Sequence, residues 1–278
     1  MKRFAALSLF VCGCAFGQQN GAAPIYRVTV EQRTIQAVNY GHRSEPTAIG
    51  FRGTVLLPAV KGEARVEGKA GAVDIDARFE GLAAPTRFGT QYLTYVLWAI
   101  TPDGRPVNLG EVLPDSSDKT HLRVTAPFQA FALLVTAEPY FSVTQPSNLV
   151  VLENQVRPDT LGETETVQAR FELLRRTDYT APVAPVEIQP VTNERAVSKD
   201  RYEALVALYE AQNALQIARS QGADRYAQST LQKAQQLYDE AQQIESSKKG
   251  DCKRVVTIAR EAAQTAEDAR TIAMRRAQ

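Results

Sequence analysis

The chain has 278 residues, with 32 lysine and arginine residues against 31 aspartate and glutamate residues. This length allows two modest domains, and an apolar fraction of 44% is enough for real hydrophobic cores, which excludes wholesale disorder. A formal net charge of +1 lacks the basic excess of nucleic-acid binding proteins, and two histidines with three cysteines leave little material for a zinc site. We therefore expect no nucleic-acid partner and no cofactor.

The first 17 residues have the pattern of an export signal. A basic start precedes an apolar stretch at residues 4–11 that is too short to span a bilayer, and polar residues follow from Gln18. Cleavage after Gly17 would release a soluble product, whereas residues 11–14 resemble a bacterial lipobox with Cys14 as the lipidated residue. Both alternatives stay open. We expect an exported protein, periplasmic or associated with the outer membrane, with no transmembrane segment in the mature chain.

Residues 23–180 predict an antiparallel β-sandwich, immunoglobulin-like or barrel-like. Short apolar runs separated by glycine, proline and aspartate turns indicate about nine or ten strands without intervening helices. The alternation at residues 73–79 predicts a half-buried strand, and the apolar run at residues 92–100 predicts a buried central strand. We also expect a strand at residues 53–57 and a tight turn at residues 102–104.

Part of this region resembles a known family. The resemblance lies in the order of four runs, at residues 95–100, 103–107, 132–139 and 150–152. In this order they are similar to the extracytoplasmic β-sandwich domain of anti-sigma-K-type factors. The resemblance implies the sandwich fold. It does not imply sigma-factor regulation, because we find no counterpart of the transmembrane helix or the cytoplasmic sigma-binding part of those factors.

A proline-rich stretch at residues 181–197 is interpreted as a semi-rigid linker, because the composition changes sharply across it. Residues 198–277 contain no proline, and their apolar residues recur at alternating steps of four and three. This spacing predicts helices with alanine-rich seams that allow close approach of a partner helix. Gly222 and Gly250 divide the region into three segments, so we expect a helical hairpin or a three-helix bundle.

The seam positions are the predicted contact sites of the helical part. They are Ala211, Leu215, Leu231, Ala234, Ala262 and Ala266. Alanine contributes little buried surface, at about 25 cal/mol per Å² of apolar area, so a lone hairpin would be marginal. We therefore expect a third helix or a second chain to complete the packing, and we predict a protein partner or self-association through this part.

The helical part also resembles a family. Residues 218–241, with alanine, tyrosine and leucine at helical spacing, are similar to an uncharacterised Ala-rich helical domain of bacterial envelope lipoproteins, which often accompanies an OmpA-like domain. The resemblance implies an envelope location. We find no OmpA-like domain in this chain, so the resemblance does not imply cell-wall binding. An envelope or cell-wall component is kept as a candidate partner.

No catalytic or metal-binding constellation stands out from the sequence. Residues 62–69 depart from the spacing of a phosphate loop, and residues 116–119 match Ser-x-x-Lys without the partner motifs of penicillin-recognising enzymes. Asp74 and Asp76 share one strand face, which we interpret as a solvated face because calcium needs further oxygen ligands. The two histidines are interpreted as surface or structural residues.

The favoured hypothesis is a non-enzymatic exported envelope protein. In it a β-sandwich acts as a recognition or scaffold module, and the helices act as a spacer or oligomerisation arm. The alternative is an exported hydrolase or carbohydrate-active protein with a site assembled from scattered carboxylates. That alternative requires a cleft in which paired carboxylates have perturbed pKa values.

Overall fold

A computed structural model of the chain contains an antiparallel β part followed by helices, which confirms the predicted β-then-α fold class. The structure describes residues 29–41, 45–114, 118–173, 198–247 and 250–277. The predicted export signal with Cys14 and the predicted linker at residues 181–197 lie outside the described residues.

Ten strands are present in the described residues, and all of their pairings are antiparallel. In chain order they are β1 (Thr29–Asn39), β2 (Thr47–Gly53), β3 (Lys61–Lys69), β4 (Ala72–Glu80), β5 (Thr94–Ile100), β6 (Pro106–Val112), β7 (Lys119–Ala126), β8 (Ala130–Glu138), β9 (Val150–Gln155) and β10 (Glu163–Leu173). The sheet follows the order β10-β1-β8-β9-β2-β3-β4-β7, while β5 pairs with β8 and carries β6. A short 3-10 helix, Pro85–Phe88, follows β4.

The sheet curves until β6 lies beside β7, so it is nearly closed like a barrel. Gly110 of β6 has a φ of +150° next to a register shift between β5 and β6. A Cβ at Gly110 would lie 3.3 Å from Val124 Cγ1 of β7, so the missing side chain lets the two strands approach closely. The strand at residues 73–79 alternates between buried and more exposed positions as predicted, and β5 is buried along its whole length.

Residues 53–57 were predicted as a strand, and this prediction is wrong. Strand β2 ends at Gly53, and the chain then turns, with the Leu57 amide donating to the Thr54 carbonyl at 3.1 Å. A Cβ at Gly53 would lie 2.2 Å from the Leu57 carbonyl oxygen, so the turn folds back onto β2. The apolar character of this run reflects the burial of Leu57 in the core. The turn at residues 102–104 forms as predicted, with Gly104 at a φ of +83°.

The helices are α1 (Lys199–Ser220), α2 (Ala223–Tyr226), α3 (Gln228–Ser246) and α4 (Cys252–Ala277). The Ser198 hydroxyl caps α1 by accepting from the Arg201 amide, and Gly222 in the left-handed region separates α1 from α2. Helix α4 packs against both α1 and α3, so the three long helices form a bundle within one chain. None of the helices that the structure describes is both long and apolar enough to cross a bilayer.

The bundle also packs against the β part, which the sequence did not predict. One hydrophobic cluster includes residues of both parts. Asn213 of α1 is buried and donates from Nδ2 to the carbonyls of Gln91 at 3.0 Å and Pro139 at 3.2 Å. Because these carbonyls belong to the loops before β5 and after β8, α1 is fixed to one end of the sheet.

Candidate functional site

The residues predicted as the helix seam are all buried in the bundle. Their exposed fractions range from 0% to 6%, for Ala211, Leu215, Leu231, Ala234, Ala262 and Ala266. They belong to the three long helices that pack on one another within this chain. The seam residues therefore contribute to packing of the bundle and offer no chemical groups to a ligand. The predicted lipidation site, Cys14, lies outside the described residues.

Asp74 and Asp76 lie on the outer face of β4, where neighbouring strands already bind them. Asp76 contacts His121 Nε2 at 2.7 Å and accepts from Arg123 Nε at 2.8 Å, and Asp74 accepts from the Thr125 hydroxyl. Desolvation opposes ionisation of Asp76, but the hydrogen bonds from Arg123 and His121 lower its pKa overall. Among the described residues, no group of three or more His, Cys, Asp and Glu side chains could hold a metal ion.

Two clusters of charged residues lie between the bundle and the β part. In the first, Glu267 and Arg270 of α4 are buried and form a two-pronged ion pair, with both nitrogen–oxygen distances at 2.7 Å. The Tyr140 hydroxyl donates to Glu267 at 2.7 Å, and the hydroxyl and amide of Thr144 donate at 2.6 and 3.0 Å. Burial raises the pKa of Glu267, but Arg270 and these donors outweigh burial and hold it below its usual range. The first cluster is a saturated network that joins α4 to the loop after β8.

The second cluster contains two glutamates from opposite sides of the boundary. Glu111 of β6 accepts from the Thr94 hydroxyl at 2.8 Å and forms an ion pair with Arg260 of α4 at 2.7 Å. The Arg260 guanidinium also lies 4.0 Å from the ring centroid of Phe141 in a cation–π contact. Glu210 of α1 is only 1% exposed and lines the same cavity as Glu111. The second cluster thus brings a carboxyl pair and one guanidinium together.

Glu210 is the unusual member of this pair. Desolvation is the largest cause that raises its pKa well above the usual value, and the negative charge of Glu111 is the next. The charge of Arg260 and the backbone of Phe141 oppose this rise without cancelling it. As a carboxylate, Glu210 has no hydrogen-bond donor in good geometry on either oxygen within the described part of the chain. The raised pKa therefore favours the protonated, neutral form of Glu210 in the folded protein.

Glu210 lies at the wall of a small cavity of about 250 Å³, called here the pit. Its lining residues come from β6 and the chain after it, from α1 and from α4; they are Glu111, Leu113, Glu203, Val206, Ala207, Glu210, Val256 and Arg260. Three carboxyl groups and one guanidinium share this space with valine, leucine and alanine side chains. The pit is therefore acidic and has apolar walls.

A larger cavity of about 860 Å³, called here the groove, adjoins the pit at Leu113 and Glu203. Its apolar lining from the β part includes Leu82, Pro85 and Leu93. Helix α1 contributes Lys199, Tyr202 and Glu203, and Lys119 and His121 of β7 lie on the sheet side. Tyr202 lines the groove and has an exposed fraction of 49%, which is large for an aromatic residue. Neither the β part nor α1 alone would form this groove.

Sequence reasoning missed Glu111, Glu210 and Arg260, because they come from elements far apart in the chain. One signal was available. Alanine pairs such as Ala262–Ala263 widen the apolar stripe beyond a single seam, and a wide stripe indicates that a helix is covered on two sides. Glutamates adjacent to such a widened stripe are candidates for burial.

No family model, curated protein or solved structure matches this chain. The resemblances to the anti-sigma-K-type sandwich domain and to the helical domain of envelope lipoproteins thus remain predictions from the sequence.

Proposed function

We propose that this protein is a non-enzymatic, exported envelope protein that binds a component of the envelope in the groove between its β part and α1. The observation that carries this proposal is the joint construction of the groove. Residues of the β part, such as Leu93, form its apolar lining, and Lys199 and Tyr202 of α1 complete it. Concave, mostly apolar surfaces with a few polar groups are the usual form of binding sites.

The helices act as a rigid support for this site. The saturated network around Glu267 and Arg270 fixes α4 to the loop after β8, and Asn213 fixes α1 to the loops beside β5 and β8. A binding surface held by buried hydrogen bonds loses little conformational freedom when a ligand binds. This supports a recognition module with a helical scaffold.

Export is supported by the pattern of the first 17 residues, and the alternatives of a soluble product and a lipid anchor at Cys14 both stay open. A protein partner or a second copy on the helical part also stays a proposal. Helix α3 offers the surface for it, since only Leu231, Ala234 and Ala241 of this helix are buried.

A hydrolase is the second candidate, favoured by the raised pKa of Glu210 beside Glu111. Two carboxyl groups that share a proton occur in acid proteases. Glycoside hydrolases, in contrast, place two carboxyl groups about 5 to 9.5 Å apart on either side of the bond that is cleaved. Glu111 is also engaged by Thr94 and Arg260, which favours binding over catalysis. Reproducible hydrolysis that Glu210→Gln abolishes would support this candidate instead.

The test of the proposed function is co-sedimentation of the purified mature chain with isolated bacterial envelopes. Tyr202→Ala removes an exposed aromatic ring of the groove, and Tyr238→Ala on α3 is a matched control, because Tyr238 lies outside the groove. We expect the parent and Tyr238→Ala to sediment with the envelopes and Tyr202→Ala to stay in the supernatant. Equal retention of both variants would contradict binding in the groove, and absence of any retention would contradict envelope recognition.

A further inference from the structure

The pit contains one carboxyl group, that of Glu210, for which the described part of the chain supplies no ion-pair partner. Glu111 has Arg260 as its partner, and Glu203 has Lys199 at 3.8 Å on the surface. Glu210 has no cationic partner within hydrogen-bond distance in the described part of the chain, although it is almost fully buried. A buried carboxyl group without a counter-ion is costly unless it holds a proton or another cation.

We propose that the pit is a binding site for a primary ammonium group on a short alkyl chain, such as a lysine side chain, which enters from the groove. This inference rests on the proposed function, because the pit shares Leu113 and Glu203 with the lining of the groove. The ammonium group would donate hydrogen bonds to Glu210 and supply the counter-ion that this residue lacks. An ammonium group has three donors and no acceptor, which suits a site lined by carboxyl oxygens.

The shape of the pit agrees with this ligand class. Its volume of about 250 Å³ corresponds to roughly eight water molecules at about 30 Å³ each, enough for a four-carbon chain and its ammonium group. Leu113, Val206 and Val256 provide apolar walls against which methylene groups can pack. A divalent metal ion fits less well, because no three His, Cys, Asp or Glu side chains among the described residues are placed to bind one ion together.

Binding also has a consequence for protons. In the free protein the raised pKa of Glu210 favours its protonated form. The charged groups that face it are Glu111 on β6, Glu203 on α1 and Arg260 on α4, with the Tyr202 hydroxyl on α1 nearby. The bound ammonium replaces the proton as the positive partner of Glu210. Ammonium binding near neutral pH should therefore release a proton to the buffer.

Isothermal titration calorimetry on the full mature chain tests this proposal with two probes, butylamine and Nα-acetyl-lysine amide. We expect both probes to bind, and a lysine amide acetylated on its side chain not to bind. The measured binding enthalpy should vary with the ionisation enthalpy of the buffer, because binding releases a proton. Binding of butylamine alone would identify a free amine rather than a peptide lysine as the ligand. Glu210→Gln should weaken binding about tenfold or more, because a charge-assisted hydrogen bond is lost.

Controls separate this result from a folding defect. Glu240→Gln on α3 changes an exposed glutamate outside the pit and should bind like the parent. Val206→Phe fills the pit without a change of charge and should also abolish binding, with circular dichroism confirming the fold of each variant. Absence of binding to the parent, or equal affinity for the parent and Glu210→Gln, would overturn the ammonium site.

The same variants distinguish failure of this inference from failure of the proposed function. If Tyr202→Ala abolishes envelope retention and Glu210→Gln does not, the ammonium site is overturned and binding in the groove is supported. If Glu210→Gln abolishes amine binding but envelopes do not retain the parent chain, the ammonium site is supported and envelope recognition is contradicted.

Discussion

The Tyr140 hydroxyl donates a hydrogen bond of 2.7 Å to Glu267, across the boundary between the β part and α4. Both side chains are fully buried, and the two residues are 127 positions apart in the chain. Burial and the charge of Glu267 raise the pKa of Tyr140 well above its usual value, so the tyrosine stays a hydrogen-bond donor. The boundary between sheet and bundle is thus a specific polar contact as well as an apolar one.

The first prediction concerns the ion pair in this contact. Arg270→Met should lower the free energy of unfolding by about 3–5 kcal/mol, because removal of one partner leaves a buried charge without compensation. The measurement is urea unfolding at neutral pH. Arg254→Met is the control, since Arg254 and Glu240 form an exposed pair on the surface, and its effect should be within about 0.5 kcal/mol. Similar losses in the two variants would contradict the role of the first cluster.

The second prediction is a pH dependence with the opposite sign to that of ordinary acidic residues. A carboxyl group whose folded pKa is raised binds more protons in the folded state, so its stability contribution is full below the unfolded pKa and is lost as the pH rises. Glu210 is such a group, and Glu210→Gln imitates its protonated form. The variant should match the parent near pH 4 and exceed it in stability at pH 8.

Thermal unfolding of both proteins between these pH values checks this prediction, with Glu240→Gln as the control for loss of an exposed charge. Glu267 should behave in the opposite way, because its folded pKa is lowered and its contribution is lost as the pH falls. A constant difference between the parent and Glu210→Gln across the range would show that folding does not raise the pKa of Glu210.

The third prediction concerns the alanine seam. Ala234 is fully buried between packed helices, so Ala234→Glu places both excess volume and an unpaired charge there. We expect a loss of stability of about 3 kcal/mol or more, or loss of the helical signal. Gln232→Glu adds the same side chain at an exposed position two residues earlier and should be nearly neutral. Circular dichroism with temperature measures both, and equal behaviour of the two variants would contradict close packing at Ala234.

The fourth prediction is that residues 23–180 fold without the helices, although less stably than in the intact chain. The β part has its own core around Trp98, the only tryptophan of the protein, which is fully buried and donates to the Thr136 hydroxyl at 2.8 Å. Isolated residues 23–180 should therefore keep the fluorescence of a buried tryptophan and unfold at a lower urea concentration. Emission typical of an exposed tryptophan without urea would contradict this.

The elements that the sequence predicts correctly are those whose pattern is local. Alternation in β4 and the apolar run of β5 each reflect burial within one strand. The buried positions of Ala234 and Ala262 each reflect the apolar repeat along one helix. The prediction of a strand at residues 53–57 was wrong, because apolar residues in a turn can cover a core without pairing with another strand. The groove, the pit and the two charged clusters could not be predicted, since they depend on how the bundle packs against the sheet.

The most direct measurement of the central claim is hydrogen–deuterium exchange of the mature chain, free and bound to isolated envelopes. If the groove is the binding surface, the backbone amides that become protected should lie in residues 82–93, at the end of β6 near Leu113 and in the first turns of α1 around Tyr202. Protection confined to the outer face around Asp76 or to the exposed side of α3 would contradict the claim, as would an unchanged exchange pattern in chains that co-sediment.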